Sequence, residues 1–330
     1  MRRKRAIITG IFGQDGSYLF ELLLARGYEV HGIVRASLTE NDRAVKAYLK
    51  KKGKCPRVHV GDLASPVELG RIIRAVKPDE FYHLAAIHFS SQDKHADRLR
   101  ADTELFHNNV SSVLNILGTL QQDAPRCRVV LAGSCLMFDA APGSLQDEKT
   151  PFKTGSMYGL AKITENGLAR HFRALGQHVS MAIFYNHESP RRSGDFVTRK
   201  VVKGLVAIAR GKSETLEIGD IHARRDWGYA RDYVLGMWLM ARARVPRDYI
   251  LATGKQHSVR DLIVAAAGKL GVKDWRRRLR INHALISRRK KNHMTGDATL
   301  ARRVLKWRHS VDFNGLVDIL VENELKGELD

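Results

Sequence analysis

The chain has 330 residues, 44% hydrophobic and 28% charged, enough for one large α/β domain or two smaller ones, with no internal repeat and no low-complexity linker. No apolar run approaches the length of a membrane span, so membrane insertion is not expected. Lys and Arg number 56 against 35 Asp and Glu, a net charge of +21 clustered at 2–5, 50–54, 276–280 and 288–291; it fits a solvated basic surface or a field that draws polyanionic small molecules, and without a zinc-finger or aromatic–basic RNA signature no nucleic-acid partner is expected.

Strand and helix alternate through the first half. "AIITG" (6–10) is a short apolar strand, and "GSYLFELLLARGY" (16–28) has helical periodicity that stops at Gly27. "EVHGIV" (29–34) and "VHVGDL" (58–63) are the second and third strands. In "SPVELGRIIRAV" Ser65 caps a helix and Pro66 suits its first turn. "EFYHLAA" (80–86) is the fourth strand, "NNVSSVLNILGTL" (108–120) a helix and "RVVLAGS" (128–134) the fifth strand. "YGLAKITENGLARHFRAL" (158–175) is a long helix and "HVSMAIFYN" (178–186) the sixth strand. This alternation, with right-handed crossovers, predicts an α/β fold with a doubly wound parallel sheet of the Rossmann type. After residue 186 a polar loop, "NHESPRRSGDF", and a later strand, "DYILATG" (248–254), predict a smaller, interleaved substrate-binding lobe. The expected division is a nucleotide-binding domain over 1–186, with return segments at about 224–256, and a substrate lobe made mainly of 187–330. The three cysteines, Cys55, Cys127 and Cys135, are odd in number and lack metal-ligand spacing. Together with "MRRKR" running into "AIITG" without a signal-peptide core, they predict a cytoplasmic protein with no disulfide framework and no metal.

The loop "TGIFGQDG" joins the first strand to the first helix and holds Gly10, Gly13 and Gly16. Glycines at this spacing permit a tight turn and let backbone N–H groups approach a pyrophosphate at the helix N-terminus. Gln14 and Asp15 in the same loop are cofactor-binding candidates. The second strand ends with Arg35, where an NAD site places a carboxylate for the ribose hydroxyls; a guanidinium suits a 2′-phosphate, so NADP is the expected cofactor. Asp62 after the third strand is placed to contact the adenine edge, or else serves the turn into the next helix, and Leu63 beside it is a further cofactor-binding candidate. "SMYGLAK" sets Tyr158 and Lys162 one helical turn apart. There a lysine lowers the phenol pKa and contacts the nicotinamide ribose, so that the phenol moves a proton while the nicotinamide moves a hydride. Ser134, at the end of the fifth strand, would orient the substrate hydroxyl.

With these motifs in this order, the chain resembles an extended short-chain dehydrogenase/reductase, and specifically the GDP-mannose 4,6-dehydratase family. "ITGIFGQDGSYLFELLLARGYEVHGIVR" is similar to that family's opening, and "NHESPRRSGDFVTRKV", "GDIHARRDWGYARDYVLGMWLM" and "DYILATGKQHSVRDL" to its substrate-lobe signatures. The resemblance implies a GDP-sugar substrate, tightly held NADP and a homodimer or homotetramer. It implies that Asn186 contacts the nucleotide phosphates, that Val197 and Lys200 line the nucleotide pocket, and that Arg225 clamps the diphosphate. For a further late arginine both Arg288 and Arg289 are candidates.

The sequence departs from the family at the sugar end. Leu136 stands where the family carries the Glu that serves elimination of water, and His88 stands where it carries a small hydroxyl residue. Ala36 replaces a second arginine after Arg35. His88 is a candidate replacement base, with sugar-hydroxyl binding or packing as its other readings. Cys135 is expected to point away from the cleft by strand alternation. Three functions stay open: the family dehydration, a hydride-only reductase or epimerase acting on a GDP-4-keto-sugar, and a non-catalytic nucleotide-sugar binder.

Overall fold

The computed structural model describes residues 2–88, 97–139, 144–286 and 294–329. The first half alternates strand and helix: β1 (Arg5–Thr9), α1 (Gln14–Ala25), β2 (Glu29–Val34), α2 (Glu40–Lys51), β3 (Arg57–Val60), α3 (Pro66–Val76), β4 (Glu80–His83), α4 (Arg98–Asp123) and β5 (Arg128–Ser134), with α2 absent from the sequence expectation. A short strand β6 (Leu145–Gln146) leads to α5 (Met157–Ala174), β7 (Val179–Phe184) and β8 (Asn186–Glu188). The chain then makes α6 (Val197–Ala209), β9 (Leu216–Ile218) and β10 (Arg224–Tyr229), and returns through α7 (Ala230–Arg242) to β11 (Asp248–Leu251). It closes with β12 (Gln256–Ser258), α8 (Val259–Leu270), α9 (Trp275–Arg278), β13 (Leu279–Ile281), β14 (Thr295–Gly296) and α10 (Phe313–Lys326).

Seven strands form one parallel sheet in the order β11-β7-β5-β4-β1-β2-β3. The period-2 pattern of the strands decides what lies on each face. Ala6, Ile8, Tyr82, Val130, Ala182 and Leu251 point into a core covered by α1 and α7. Their neighbours Ile7, Phe81, Val129, Leu131, Ile183 and Ile250 point into the opposite core, under α3, α4 and α5. Such runs, buried on both faces, are what a parallel sheet requires. A third core forms among α6, α8, α10 and β10, where Val201, Leu205, Trp227, Leu262, Leu316 and Leu320 are buried together. Between this core and the main sheet lies a three-stranded sheet, β12-β10-β8, with β10 parallel to β8 and antiparallel to β12. The buried Asp226 carboxylate fastens it, accepting hydrogen bonds from the Thr253 and Gly254 amides at 2.9 Å.

Candidate active site

The C-terminal ends of β1, β4 and β5 lie side by side, and the glycine loop leaves from the first of them. Gly13 N donates to Gly10 O at 2.9 Å, closing the turn. Gly10 sits at φ +70°, in the left-handed region that favours glycine. A Cβ on Gly16 would stand 2.1 Å from Gly10 O and 2.7 Å from the Ile11 Cα, so only hydrogen fits where α1 crosses the loop. Gly13 caps α1 with no side-chain bond to its first-turn amides. Together these make a backbone cradle with the donor set that a dinucleotide diphosphate requires.

Gln14 and Asp15 direct their side chains to β8 and the loop after it. Gln14 Nε2 donates to His187 O at 3.1 Å, and Ser189 Oγ donates to Gln14 Oε1 at 2.8 Å. His187 donates from Nδ1 to Tyr185 O at 2.7 Å and meets Asp15 Oδ2 through Nε2 at 3.0 Å. Both ring nitrogens face acceptors, an arrangement that favours the protonated ring. Burial opposes that charge, but Asp15 outweighs burial and raises the His187 pKa. Burial likewise acts to raise Asp15, and His187 outweighs it, so the carboxyl lies below its ordinary range. Arg35 is the exposed residue just past β2. Asp62 Oδ1 accepts the Ala64 amide at 2.9 Å in the turn toward α3, and Leu63 packs on the core under that helix.

Tyr158 and Lys162 both come from α5. Ser156 caps that helix by accepting the Gly159 amide at 3.0 Å. Gly159 has no room for a Cβ, which would stand 2.2 Å from Leu136 O, so α5 rests directly on the turn that ends β5. This contact brings the first turn of α5, which carries Tyr158, against the turn after Ser134. Ser134 Oγ accepts the Leu136 amide at 3.2 Å, and the Leu136 side chain packs half-buried on the core. The His88 ring meets the Tyr158 ring edge-on, 4.6 Å between centroids, and lies nearly parallel to Phe196 at 6.3 Å. Lys162 Nζ is 5.6 Å from the centre of the Tyr158 ring.

One expectation is corrected here. Cys135 does not alternate away from the site, because β5 ends at Ser134 and Cys135 begins a 3-10 turn. It is buried within electrostatic reach of Arg225 and Tyr158, and burial pushes its thiol up to about 12. Lys162 acts on the phenol in the expected sense, but other groups outweigh it. Burial lifts the Tyr158 pKa above its ordinary value, Lys162 pulls it down, and Glu165 pushes it up again. Glu165 is a residue that the sequence reading missed: its Oε2 accepts from Lys162 Nζ at 2.8 Å, both side chains being buried. The available signal was its i+3 spacing from Lys162 on a face that had to be covered.

His83, at the end of β4, completes this wall. Thr9 Oγ1 accepts from the Leu84 and Ala85 amides at 3.1 Å and donates to His83 Nδ1 at 2.8 Å. The ring is neutral, its pKa lowered to about 3 by burial and by the charge of Lys162.

The remaining candidates within the described residues lie on β8, α6 and β10. Asn186 opens β8 opposite Trp227 of β10, Val197 is the first residue of α6 and Lys200 follows one turn later. Arg225 is half-buried in β10, opposite His257 of β12. Arg288 and Arg289 lie outside the described residues. Two adjacent arginines were missed in the loop after β8. Arg191 is fully buried, donating to Glu21 Oε2 at 2.6 Å and Ser17 Oγ at 3.1 Å. The Arg192 guanidinium lies 3.5 Å from the centre of the Phe196 ring, and its charge reaches Tyr158, Asp15 and His187. Their signal was a pair of cations just past a strand that had to be buried.

Comparison with known proteins agrees with this frame. A family model described as GDP-mannose 4,6 dehydratase matches residues 7–320. GDP-mannose 4,6 dehydratase 1 of Arabidopsis thaliana is 36% identical over 335 residues, covering 98% of this chain and 90% of that protein. GDP-mannose 4,6-dehydratase of Sinorhizobium fredii is 35% identical over 344 residues, covering 98% and 97%. Among solved structures, dTDP-glucose 4,6-dehydratase from Bacillus anthracis in complex with NAD shares the fold, with a TM-score of 0.83 and 15% identity over 98% of this chain and 97% of that one. From β1 into α10, this chain belongs to the GDP-mannose 4,6-dehydratase family.

Proposed function

We propose that the chain transfers hydride at C4 of a GDP-linked sugar, using NADP(H), with Tyr158 as the proton carrier and without an efficient elimination of water. One observation carries this reading: Tyr158 stands beside the end of β5, where the turn offers Leu136 instead of a carboxylate. NADPH, when bound, supplies the hydride for C4. The backbone of the Gly10–Gly16 loop holds its diphosphate and Arg35 its 2′-phosphate. Ser134 orients the C4 oxygen, and Tyr158 gives it a proton as the carbonyl is reduced, or takes the proton in the opposite direction. Asn186, Lys200 and Arg225 hold the GDP, with Val197 lining the nucleotide pocket. Both ligands are polyanions, so the surplus of positive charge favours their approach.

A second reading rests on His88. Its contact with the Tyr158 ring puts an imidazole where a base could remove the C5 proton, which would restore dehydration by another route. The experiment separates the two readings. Purified protein is given GDP-4-keto-6-deoxymannose with NADPH, and separately GDP-mannose with NADP, and the second mixture is examined by mass for loss of water. NADPH consumption without a dehydrated product is the expected result. Dehydration of GDP-mannose at an ordinary enzyme rate sinks the first reading; loss of that activity in His88→Ala, with binding kept, establishes the second.

A further inference from the structure

Glu165 is a buried acid that the proposed hydride transfer leaves unused. It has no exposed surface, and Lys162, its partner at 2.8 Å, is 1% exposed. The ion pair uses only one carboxylate oxygen; Oε1 is buried with no hydrogen-bond partner among the described residues. Nature rarely leaves a carboxylate in this state, because a buried anion costs several kcal/mol unless its charge is matched. The single ammonium it faces is the one placed to act on Tyr158.

We propose that Glu165 is a positioning residue that neutralises Lys162, so that the Tyr158 phenol stays protonated and the site is set to donate a proton, favouring reduction of a C4 carbonyl over oxidation of a C4 alcohol. This deepens the hydride-transfer reading and rests on it. In the favoured direction the C4 oxygen takes the Tyr158 proton as hydride from NADPH reaches C4, leaving a phenolate and NADP+. The other groups around the pair do not substitute for Glu165. His83 on β4 is neutral, Cys135 in the turn after β5 is a thiol, and the His88 ring after β4 meets the phenol ring edge-on. Arg192 is a cation and acts on the phenol in the same sense as Lys162. Glu165 is thus the carboxylate that acts with burial to hold the phenol pKa up against two positive charges.

The test reads the phenol directly and needs no turnover, so it fails separately from the substrate assignment. Tyrosinate absorbance of the full-length protein is followed in the first milliseconds after a pH jump, and the contribution of Tyr158 is the difference from the matching Tyr158→Phe protein. Glu165→Gln is expected to lower the Tyr158 pKa by about 1–3 units, while Glu165→Asp, which keeps the charge, restores most of the wild-type value. A purely structural role would change the melting temperature of both variants and leave the phenol where it was. An unchanged phenol in folded Glu165→Gln overturns the proposal. If that variant does not fold, the double variant Lys162→Met/Glu165→Gln decides. A phenol within about one unit of wild type supports cancellation of the two charges, and a rise of about two units or more shows that Lys162 acted unopposed and overturns it.

Discussion

Replacing Gly16 with alanine asks the loop to do what its packing forbids. The added Cβ would meet Gly10 O at 2.1 Å and the Ile11 Cα at 2.7 Å, and real Cβ atoms essentially never come closer than 3.0 Å. Both obstacles are backbone, so the contact can open only if α1 lifts from the loop by most of an ångström. Overpacking of this kind costs about 1–3 kcal/mol when side chains yield, and here none can, so about 3 kcal/mol is expected. Gly10→Ala is expected to cost about 1–2 kcal/mol, from its left-handed φ of +70°. Gly13→Ala meets nothing nearer than Gly10 O at 3.2 Å and mainly weakens an N-cap, at about 1 kcal/mol. Urea unfolding without cofactor measures the three losses, and NADPH fluorescence titration measures binding. Gly16→Ala should lose both stability and binding, whereas Gly13→Ala should lose binding far more than stability. Equal unfolding midpoints for the three variants would refute the steric account.

Arg35→Asp should reverse the preference from NADP(H) to NAD(H), since a charge-assisted contact to the 2′-phosphate is worth about 1.5–3 kcal/mol; unchanged NADP(H) affinity would remove Arg35 from the site. Leu136→Glu should return some loss of water from GDP-mannose by mass, limited by the several kcal/mol that a half-buried carboxylate costs if unbonded; no gain in a folded variant that binds GDP-mannose would place the cause elsewhere. Asp15→Asn tests the imidazolium pair. The lowered Asp15 pKa adds stability that is lost as pH falls through it, and the raised His187 pKa adds stability that is lost as pH rises through it. The deficit of the variant should therefore peak between about pH 4 and 6.5, at about 1.5–3 kcal/mol, and shrink on both sides. A deficit that is flat with pH in urea melts would mean that His187 is neutral.

The main sheet was legible because most of its strands carry a short apolar run, such as Ala6–Ile8, Val129–Leu131 and Met181–Phe184, between helical segments. Two stretches were not. The α2 helix buries only Val45 and Leu49, so its apolar signal is one pair at i and i+4, although Thr39 and Asp42 form a capping box. The first ten residues of α4 carry ion pairs on their exposed face, Arg98–Asp102 and Arg100–Glu104, and only Ala101 and Leu105 reach the core, so the periodicity became clear only from Asn108 onward. At the candidate site, spacing anticipated the nearness of Tyr158 and Lys162 because they share one helix. Asp15 and His187, far apart in the chain, meet through folding alone. The raised phenol was also beyond reach, since it depends on burial and on the direction that one lysine side chain takes.

The return of the chain to β11 has a consequence for biosynthesis. All six residues of β7 are buried, and β11 covers its outer edge, pairing Asp248 with Met181. Arg128 at the start of β5 likewise donates to the carbonyls of Ala241 and Ala243 at the end of α7. A nascent chain that has just released β7 from the ribosome therefore carries a bare apolar edge, a template for pairing with other chains. It must stay in that state while α6, β9 and β10 are made, because the strand that seals it is encoded after them. Sealing the edge joins distant parts of the chain and is intrinsically slow. Chaperone demand should thus concentrate in this interval of translation, and fragments cut after β7 should aggregate where fragments that extend past β11 do not.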